Sequence, residues 1–567
     1  MENHRWIIQE KPESFKVQML AQKLNSMPLP LAEILVRRNI ETFDAAKNFF
    51  RPSLEKLHSP FLMKGMEEAV NRILHLEGTK EKVLIHGDYD VDGTTSVTLM
   101  YEYLTETYPN VTAYIPDRYK EGYGVSYQGI DYASDNSITL IIALDCGIKA
   151  VDKVKYAKDK GIDFIICDHH RPGKNIPNAV AVLDPKRNDC QYPYKELCGC
   201  GVGFKLIQAL QKQRQLSERK IYKYLDLVAI AIGSDIVPIT GENRILCFYG
   251  LKLVNARKRI GIKALLGQND KKIFSITDLV FGVGPRINAA GRMKHGLHAV
   301  ELLGEKDEEK AREQALKIEE YNTSRQTEDR QTTIEALAQI EANKETNNFT
   351  SVVYQDNWHK GVIGIVASRL TETYYRPTLV FTKSGNKLAA SARSVSGFDV
   401  YNALEQCGEF IEQFGGHKYA AGLTLKQDNY QNFKQKFEAV VKSTIDKNLL
   451  TPEINFEQEI KLNAINFKLI RILKQFAPFG PGNMKPTFYA KNLKLDQYAK
   501  TVGAEHKHLK CKLIQDEIAI DAIGFNLGAQ LSRLKAANQI EAVFTVEENE
   551  WNNQVSIQLN IKDMRPQ

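Results

Sequence analysis

Short apolar runs alternate with amphipathic stretches from Lys82 to about Pro238, a pattern that predicts a parallel α/β sheet. The runs are KVLIH (82–86), VTAYI (111–115), ITLIIALD (138–145), DFIICD (163–168) and AVAVLD (179–184). Each is too short for a helix and rich in Val, Ile and Leu, so five buried strands are predicted. Several of them end in, or just before, an aspartate. A later apolar segment, AIAIGSDIVP, reads as a helix leading to a further acid, Asp235.

From about Lys306 to Lys344 the chain is rich in Glu, Lys, Gln and Ala and free of Gly and Pro, as a long solvated helix would be. A second α/β unit begins with TSVVYQ (350–355), continues with a helix from about Gly364, and includes LAASARSVSGFDV and FGGHKYAAGLTL. Beyond about Thr451, short alternating segments (LKCKLI, IAIDAIGF, EAVFTVEEN, VSIQLNIKD) separated by polar breaks predict a small β-barrel of the OB type. The expected organisation is an N-terminal segment over 1–80 packing on the first α/β domain, that α/β domain over 81–300, and a connecting helix over 301–345. A smaller α/β domain over 346–448 and a barrel over 449–567 complete it.

Composition narrows the class. A chain of 567 residues is too long for one core, and 43% hydrophobic with 26% charged residues is ordinary for a soluble protein. No apolar run approaches a membrane span and the first residues lack the order of a signal peptide, so a cytoplasmic protein is expected. Eight irregularly spaced cysteines fit a reduced compartment. Cys198 and Cys200 form a lone C-G-C with no second pair at zinc spacing and read as small packing residues. A net charge of +7 is compatible with a polyanionic partner. No phosphate-binding G-x-x-x-x-G-K-[ST] loop is present, which argues against an ATP-driven motor.

The chemistry begins at HGDYDVDG, residues 86–93, where three aspartates alternate and a glycine closes the run. This order matches the start of a calcium-binding EF-hand loop, but the position that should supply the bidentate Glu is Leu99, and the preceding KVLIH is a strand. The carboxylates therefore stand at a strand end. Asp145 ends a second strand, and Asp168, His169 and His170 end a third, so these groups face one crevice beyond the carboxyl edge of the sheet. Asp235 leads back to the same edge, and His86 stands where it could point in. A single Asp after a strand is usually a cap or turn former; the conjunction of all these groups changes that reading.

Oxygen and imidazole donors without thiolate suit Mn²⁺ or Mg²⁺ rather than structural zinc. The carboxylates are too many for one ion. Two divalent cations about 4 Å apart would relieve their repulsion and form a clamp for phosphoryl transfer, making hydrolysis of a phosphodiester or phosphoanhydride the expected reaction.

At these residues the chain resembles the DHH phosphoesterase superfamily, and within it the single-strand-specific 5′→3′ exonucleases. HGDYDVDG, ALDCG, CDHH and GSDIVP stand in the order of the family's metal motifs. GPRINAAGR (284–292), SARS (391–394), GGHKYAAG (415–422) and FAPFGPGNMKPTF (476–488) resemble its downstream motifs. The resemblance implies that Asp92, Asp145, His169 and Asp235 hold one ion and that His86, Asp90 and Asp145 hold the other. It implies that His170 donates to the scissile phosphate and that Asp168 orients its neighbours. Asp88, on the same side as Asp90 and Asp92 by alternation, supports them from behind.

It further implies that an associated domain closes over the cleft, so that one strand but not two can thread to the metals. Arg118, Ser391 and Arg393 would contact phosphates near the 5′ end, His417 the backbone near the scissile position, and Arg292 the substrate or the domain junction. Single-stranded DNA with a free 5′ end is the implied substrate, recombination and repair the implied setting, and a single-strand-binding protein and a repair helicase the implied partners of a monomeric enzyme. Phe476, Phe479, Phe488 and Trp551 read as barrel core in preference to stacking platforms. Two other functions compete: a DHH phosphodiesterase of short oligonucleotides or cyclic dinucleotides, disfavoured by the barrel, and an inactive DNA-binding scaffold, disfavoured by the complete ligand set.

Overall fold

The computed structural model describes residues 4–267, 271–552 and 554–567. They form two compact units. One comprises Trp6–Asn288, Gly296–Ala315 and Ile454–Gln567; the other comprises Ala289–His295 and Leu316–Glu453 with residues 4 and 5.

The first unit is organised by a five-stranded sheet of β1 (Val83–Gly87), β2 (Val111–Tyr114), β3 (Leu140–Leu144), β4 (Asp163–Cys167) and β5 (Ala181–Leu183). Its order is β2-β1-β3-β4-β5, and every pairing is parallel. All residues of β1 and β3 are buried. Helices cover both faces of such a sheet, which is why these strands read as continuous apolar runs. The chain leaves β1 for one neighbour and returns to β3 on its other side, and this reversal opens a crevice at their carboxyl ends. The aspartates after β1 and the aspartate after β3 stand on its two walls.

Helix α1 (Val91–Thr105) follows β1 almost at once. Its N-cap is Asp90, whose Oδ1 accepts from the Gly93 amide at 3.0 Å. The expectation that Asp88, Asp90 and Asp92 share a face by strand alternation is therefore corrected. The strand ends at Gly87 and Asp92 already lies in the first helical turn. Three further helices complete the surroundings of the site: α2 (Gly199–Gln213), α3 (Leu225–Ser234) and α4 (Gly241–Asn255). Beyond Asp226 in its first turn, helix α3 is apolar on every side and buried up to Gly233, and Asp235 stands at its C-cap.

In the same unit, Thr487–Leu495 pairs with both Ile540–Trp551 and His508–Gln515, closing the C-terminal strands into a barrel. Leu20, Leu31 and Leu35, from the helices Ser14–Lys23 and Leu29–Arg37, share one core with Phe488, Leu509, Phe544 and Leu559 of this barrel. The helix Met66–Leu74 instead packs against α2 and β5. The first eighty residues thus contribute to two cores. Phe476 and Phe488 are buried, but Trp551 is 73% exposed on the hairpin before Gln554, correcting its assignment to the core.

Helix α5 (Gly284–Met293) precedes the long α6 (Glu308–Ala342), which forms where the Gly- and Pro-free run predicts it. In the second unit, β6 (Ser351–Tyr354), β7 (Thr378–Ser384), β8 (Lys387–Arg393), β9 (Ile411–His417) and β10 (Ala420–Lys426) pair in the order β9-β10-β8-β7-β6. Helix α7 (Ile363–Tyr374) connects β6 to β7.

Candidate metal centre

At the crevice between β1 and β3, His169 Nε2 lies 3.2 Å from Asp145 Oδ1, 3.5 Å from Asp235 Oδ2 and 3.8 Å from Asp92 Oδ2. Two overlapping groups of metal-capable atoms result, Asp92–His169–Asp235 and Asp145–His169–His170, each with its atoms within 4.8 Å of one another. Four segments deliver the carboxylates and His169: the first turn of α1, the ends of β3 and β4, and the C-cap of α3. Asp145 takes a left-handed backbone conformation, φ +60°, directly after its strand. Its amide is tied to the Cys167 carbonyl at 2.8 Å. A non-glycine residue there costs about 1–2 kcal/mol, and such strain persists only where the surroundings enforce it.

Asp92 is held by the N-terminus of α2. The Gly199 amide donates to its Oδ2 and the Cys200 amide to its Oδ1, both at 2.7 Å. Unpaired amides and the helix dipole make this end a seat for an anion. Cys198 caps the helix, its Sγ accepting from the Gly201 amide at 3.3 Å. The C-G-C segment is thus more than packing: it supplies the donors that orient Asp92. The Gly-rich run CGCGVG ahead of an apolar stretch was the available signal.

Burial and crowding govern the charges. His86, Asp88, Asp92, Asp145, Asp168 and His169 are each at most 5% exposed. Burial, then the charges of Asp92, Asp90 and Asp235, push the Asp145 carboxyl far above its usual range. Burial and Asp92 push Asp235 up to about 8, while burial and Asp90 push Asp92 up to about 6 against the restraint of its two amides. Burial and the neighbouring His170 hold His169 down, to about 3, so its imidazole is neutral and can offer a lone pair.

Asp168 behaves differently. Burial works against its charge, but His170 and the backbone amides outweigh that and hold it down at about 2. It accepts from the amides of Ile148, His169 and His170 and lies 2.7 Å from His170 Nδ1. Although burial opposes it, this contact raises His170 to about 9. His170 Nε2 meets the hydroxyl of Tyr123 at 3.2 Å. Tyr123 was not among the residues that the sequence placed at the site.

The remaining predicted residues of this unit line the same edge. Asp88 is buried, and its Oδ1 accepts from the Gly124 amide at 3.2 Å. Arg118 lies over the ring of Tyr89, 4.6 Å from its centroid. His86 stacks on Tyr114, with Nδ1 3.8 Å from Cys146 Sγ. Among the described residues, His86, Asp90 and Asp145 do not make a further group with all ligand atoms within 4.8 Å.

The donor set fits hard divalent cations. Asp145 Oδ1, Asp235 Oδ2, His169 Nε2 and His86 Nε2 are all buried without a hydrogen-bond partner. Buried polar atoms are otherwise almost always paired. Oxygen and imidazole donors in this number match Mn²⁺ or Mg²⁺ chemistry, and the thiols of Cys146, Cys198 and Cys200, raised by burial, remain protonated.

The second unit holds the other predicted residues. Arg393 Nη1 donates to Ser391 Oγ at 3.0 Å and to the Ala392 carbonyl at 2.8 Å. Gly364 lies against this pair: a Cβ there would come within 3.0 Å of Arg393 Nη2 and 3.1 Å of Ser391 Oγ. Arg292 donates to the Gly361 carbonyl at 3.0 Å, so it reaches the turn leading to α7. His417 ends β9, opposite Ala420, and is exposed.

A doubly wound sheet with an acidic, histidine-bearing edge and this order of motifs defines a DHH-type phosphoesterase. Family models agree: "DHH family, N-terminal domain" matches residues 82–232, "DHHA1 domain" 346–443 and "RecJ OB domain" 456–563. The single-stranded-DNA-specific exonuclease RecJ of Bacillus subtilis is 36% identical over 99% of this chain and 70% of its own length. That of Haemophilus influenzae is 34% identical over 91% and 93%. The chain belongs to the RecJ family of single-stranded-DNA-specific exonucleases. Its fold matches the crystal structure of RecJ from Thermus thermophilus in complex with Mn²⁺, with a TM-score of 0.84 at 24% identity over 99% of this chain and 80% of that one. A RecJ exonuclease bound to manganese matches at a TM-score of 0.60 and 29% identity, over 70% and 97%.

Proposed function

We propose that this protein removes nucleotides from the 5′ end of single-stranded DNA, with Asp92, Asp145, His169 and Asp235 holding one divalent cation and His86, Asp90 and Asp145 the other. The carrying observation is the convergence of three carboxylates on His169 Nε2, with buried, unpartnered atoms among them. Manganese and magnesium accompany RecJ in solved structures of the family. When bound, two such ions supply charge neutralisation, activation of a water nucleophile and stabilisation of the leaving oxygen.

The chain's own groups do the rest. His170, kept protonated by Asp168, donates to the scissile phosphate; Tyr123 fixes its ring. Asp88 holds the loop carrying Arg118 through Gly124. Arg118, Arg292, Ser391, Arg393 and His417 bind the substrate backbone, a role suited to guanidinium forks and hydroxyls. The barrel binds the trailing strand. We assign the enzyme to recombination and repair in the cytoplasm, working as a monomer beside a single-strand-binding protein and a helicase. Among the described residues no helix is long and apolar enough to cross a membrane.

The test is digestion of 5′-labelled single- and double-stranded DNA with Mn²⁺, Mg²⁺ or chelator. Metal-dependent loss of the single strand from its 5′ end is expected. Cleavage of dinucleotides with long single strands left intact would overturn the assignment.

A further inference from the structure

The loop Phe476–Asn483, from the motif FAPFGPGN, has no part in the chemistry above. It lies far along the chain from any metal ligand, yet it grips the segment that follows Asp235. The Ile239 amide donates to the Pro481 carbonyl at 2.7 Å. Gly480 lies so close to Ile239 that a Cβ there would stand 2.4 Å from Cδ1, and one on Gly482 would stand 2.9 Å from Thr240 Cγ2. The loop closes on itself through paired backbone hydrogen bonds between Gly480 and Asn483, at 3.1 and 2.9 Å. Asn483, 1% exposed, donates to the carbonyls of Phe476 and Pro478 at 2.9 and 2.7 Å.

Arg244 on α4, 5% exposed, locks the same loop from the catalytic side. Its guanidinium donates to the carbonyls of Phe476, Pro478 and Ala477 at 2.8, 3.3 and 3.1 Å, and to that of Phe49 at 2.9 Å. Arg38 adds bonds to the Asn483 side chain and, at 2.7 Å, to the Met484 carbonyl.

The gripped segment needs holding. Ile236, immediately after Asp235, has φ +60° and is 67% exposed. A β-branched residue in the left-handed region is a genuine outlier, and its burial offers no compensation here. Such a conformation survives only where the flanking structure over-determines it. Upstream, α3 is buried from Leu225 to Gly233. Downstream, Tyr194 and Asn243 donate to the Pro238 carbonyl at 3.1 and 3.0 Å, and the next two residues are clamped by the loop.

We infer that the Phe476–Asn483 loop is a positioning element for the metal centre: by clamping Ile239 and Thr240 it enforces the strained turn at Ile236 and so aims Asp235 at His169. This rests on the proposed function only in taking Asp235 as a ligand. It gives the C-terminal domain a task separate from gripping DNA.

The test uses the whole chain and Mn²⁺ itself, titrated calorimetrically without DNA. Gly480→Ala, which pushes the Ile239 side chain off the loop, is expected to weaken the Mn²⁺ Kd about tenfold. Affinity for a single strand in Ca²⁺, read by anisotropy, should stay within twofold of wild type, and excess Mn²⁺ should restore most of kcat. Asn483→Ala opens the loop without adding an atom and carries the same expectation should Gly480→Ala not fold. Adding Ile236→Gly, which removes the strain, should recover at least threefold of the lost Mn²⁺ affinity. A folded variant whose Mn²⁺ Kd stays within twofold of wild type while activity or DNA affinity falls would overturn the inference. Digestion of single strands by the wild type, run alongside, checks the underlying reading separately.

Discussion

A Cβ on Gly199 would stand 2.5 Å from the Cβ of Asp145 and 2.7 Å from its Oδ1. The absent side chain lets the N-terminus of α2 close on the carboxylate shared by both proposed ions, while the same turn donates to Asp92. Gly199→Ala is therefore an overpacking change at the chemical centre, worth about 1–3 kcal/mol. A lower Tm and about a tenfold higher Mn²⁺ requirement are expected, read by thermal unfolding and by activity against Mn²⁺ concentration.

Asp145→Asn separates stability from function. Without metal, the carboxylate is crowded by Asp92, Asp90 and Asp235, so the variant should melt above wild type in chelator. Mn²⁺ at a hundredfold over Kd should stabilise wild type by about 2.7 kcal/mol, and the variant by less. Exonuclease activity should fall at least a thousandfold; full activity in this variant would refute the ligand assignment.

Asp168→Asn tests how His170 is oriented. The carboxylate joins three amides and the imidazole at distances of 2.7–3.1 Å. Losing its charge should lower kcat about 10–100-fold. Calorimetric Mn²⁺ affinity should change by less than threefold, since Asp168 makes no proposed metal bond.

Lys205 and Glu242 form a buried pair at 3.2 Å, their side chains 0% and 1% exposed. Tyr192 and the His58 amide complete the hydrogen bonding of the glutamate. Lys205→Met leaves a buried carboxylate without its cation and should cost about 3–5 kcal/mol in urea unfolding. Adding Glu242→Gln should return much of that loss.

Arg393→Ala should weaken binding of a 5′-phosphorylated single strand about 10–150-fold and narrow its preference over a 5′-hydroxyl strand. A charge-assisted hydrogen bond of about 1.5–3 kcal/mol sets that scale. The salt dependence of binding should become shallower, by a slope of about 0.7 for one phosphate contact on a single strand. Anisotropy titrations at several salt concentrations decide the point.

Much of this was legible in the chain. The runs before Asp88, Asp145 and Asp168 announced buried parallel strands because residues covered on both faces must be apolar throughout. Their carboxyl ends had to share an edge, which places Asp92, Asp145 and His169 together on sequence grounds alone. Asp88, Asp90 and Asp92 show the limit of periodicity: alternate spacing looks alike in a pleat and across a strand-to-helix turn, and only the backbone tells them apart. Trp551 shows another, because an aromatic residue in an alternating run occupies either face of a hairpin until register is fixed.

The sequence by itself determined the strand runs, the long helix, the barrel and the chemical kind of the site, since each rests on local pattern or on residue type. Tertiary structure alone decided that Gly199 and Cys200 hold Asp92, that Tyr123 meets His170, and that the loop at Gly480 clamps the segment beyond Asp235. These contacts join segments tens to hundreds of residues apart. Their geometry depends on close approach and backbone hydrogen bonds, which any residue can make and no local pattern records.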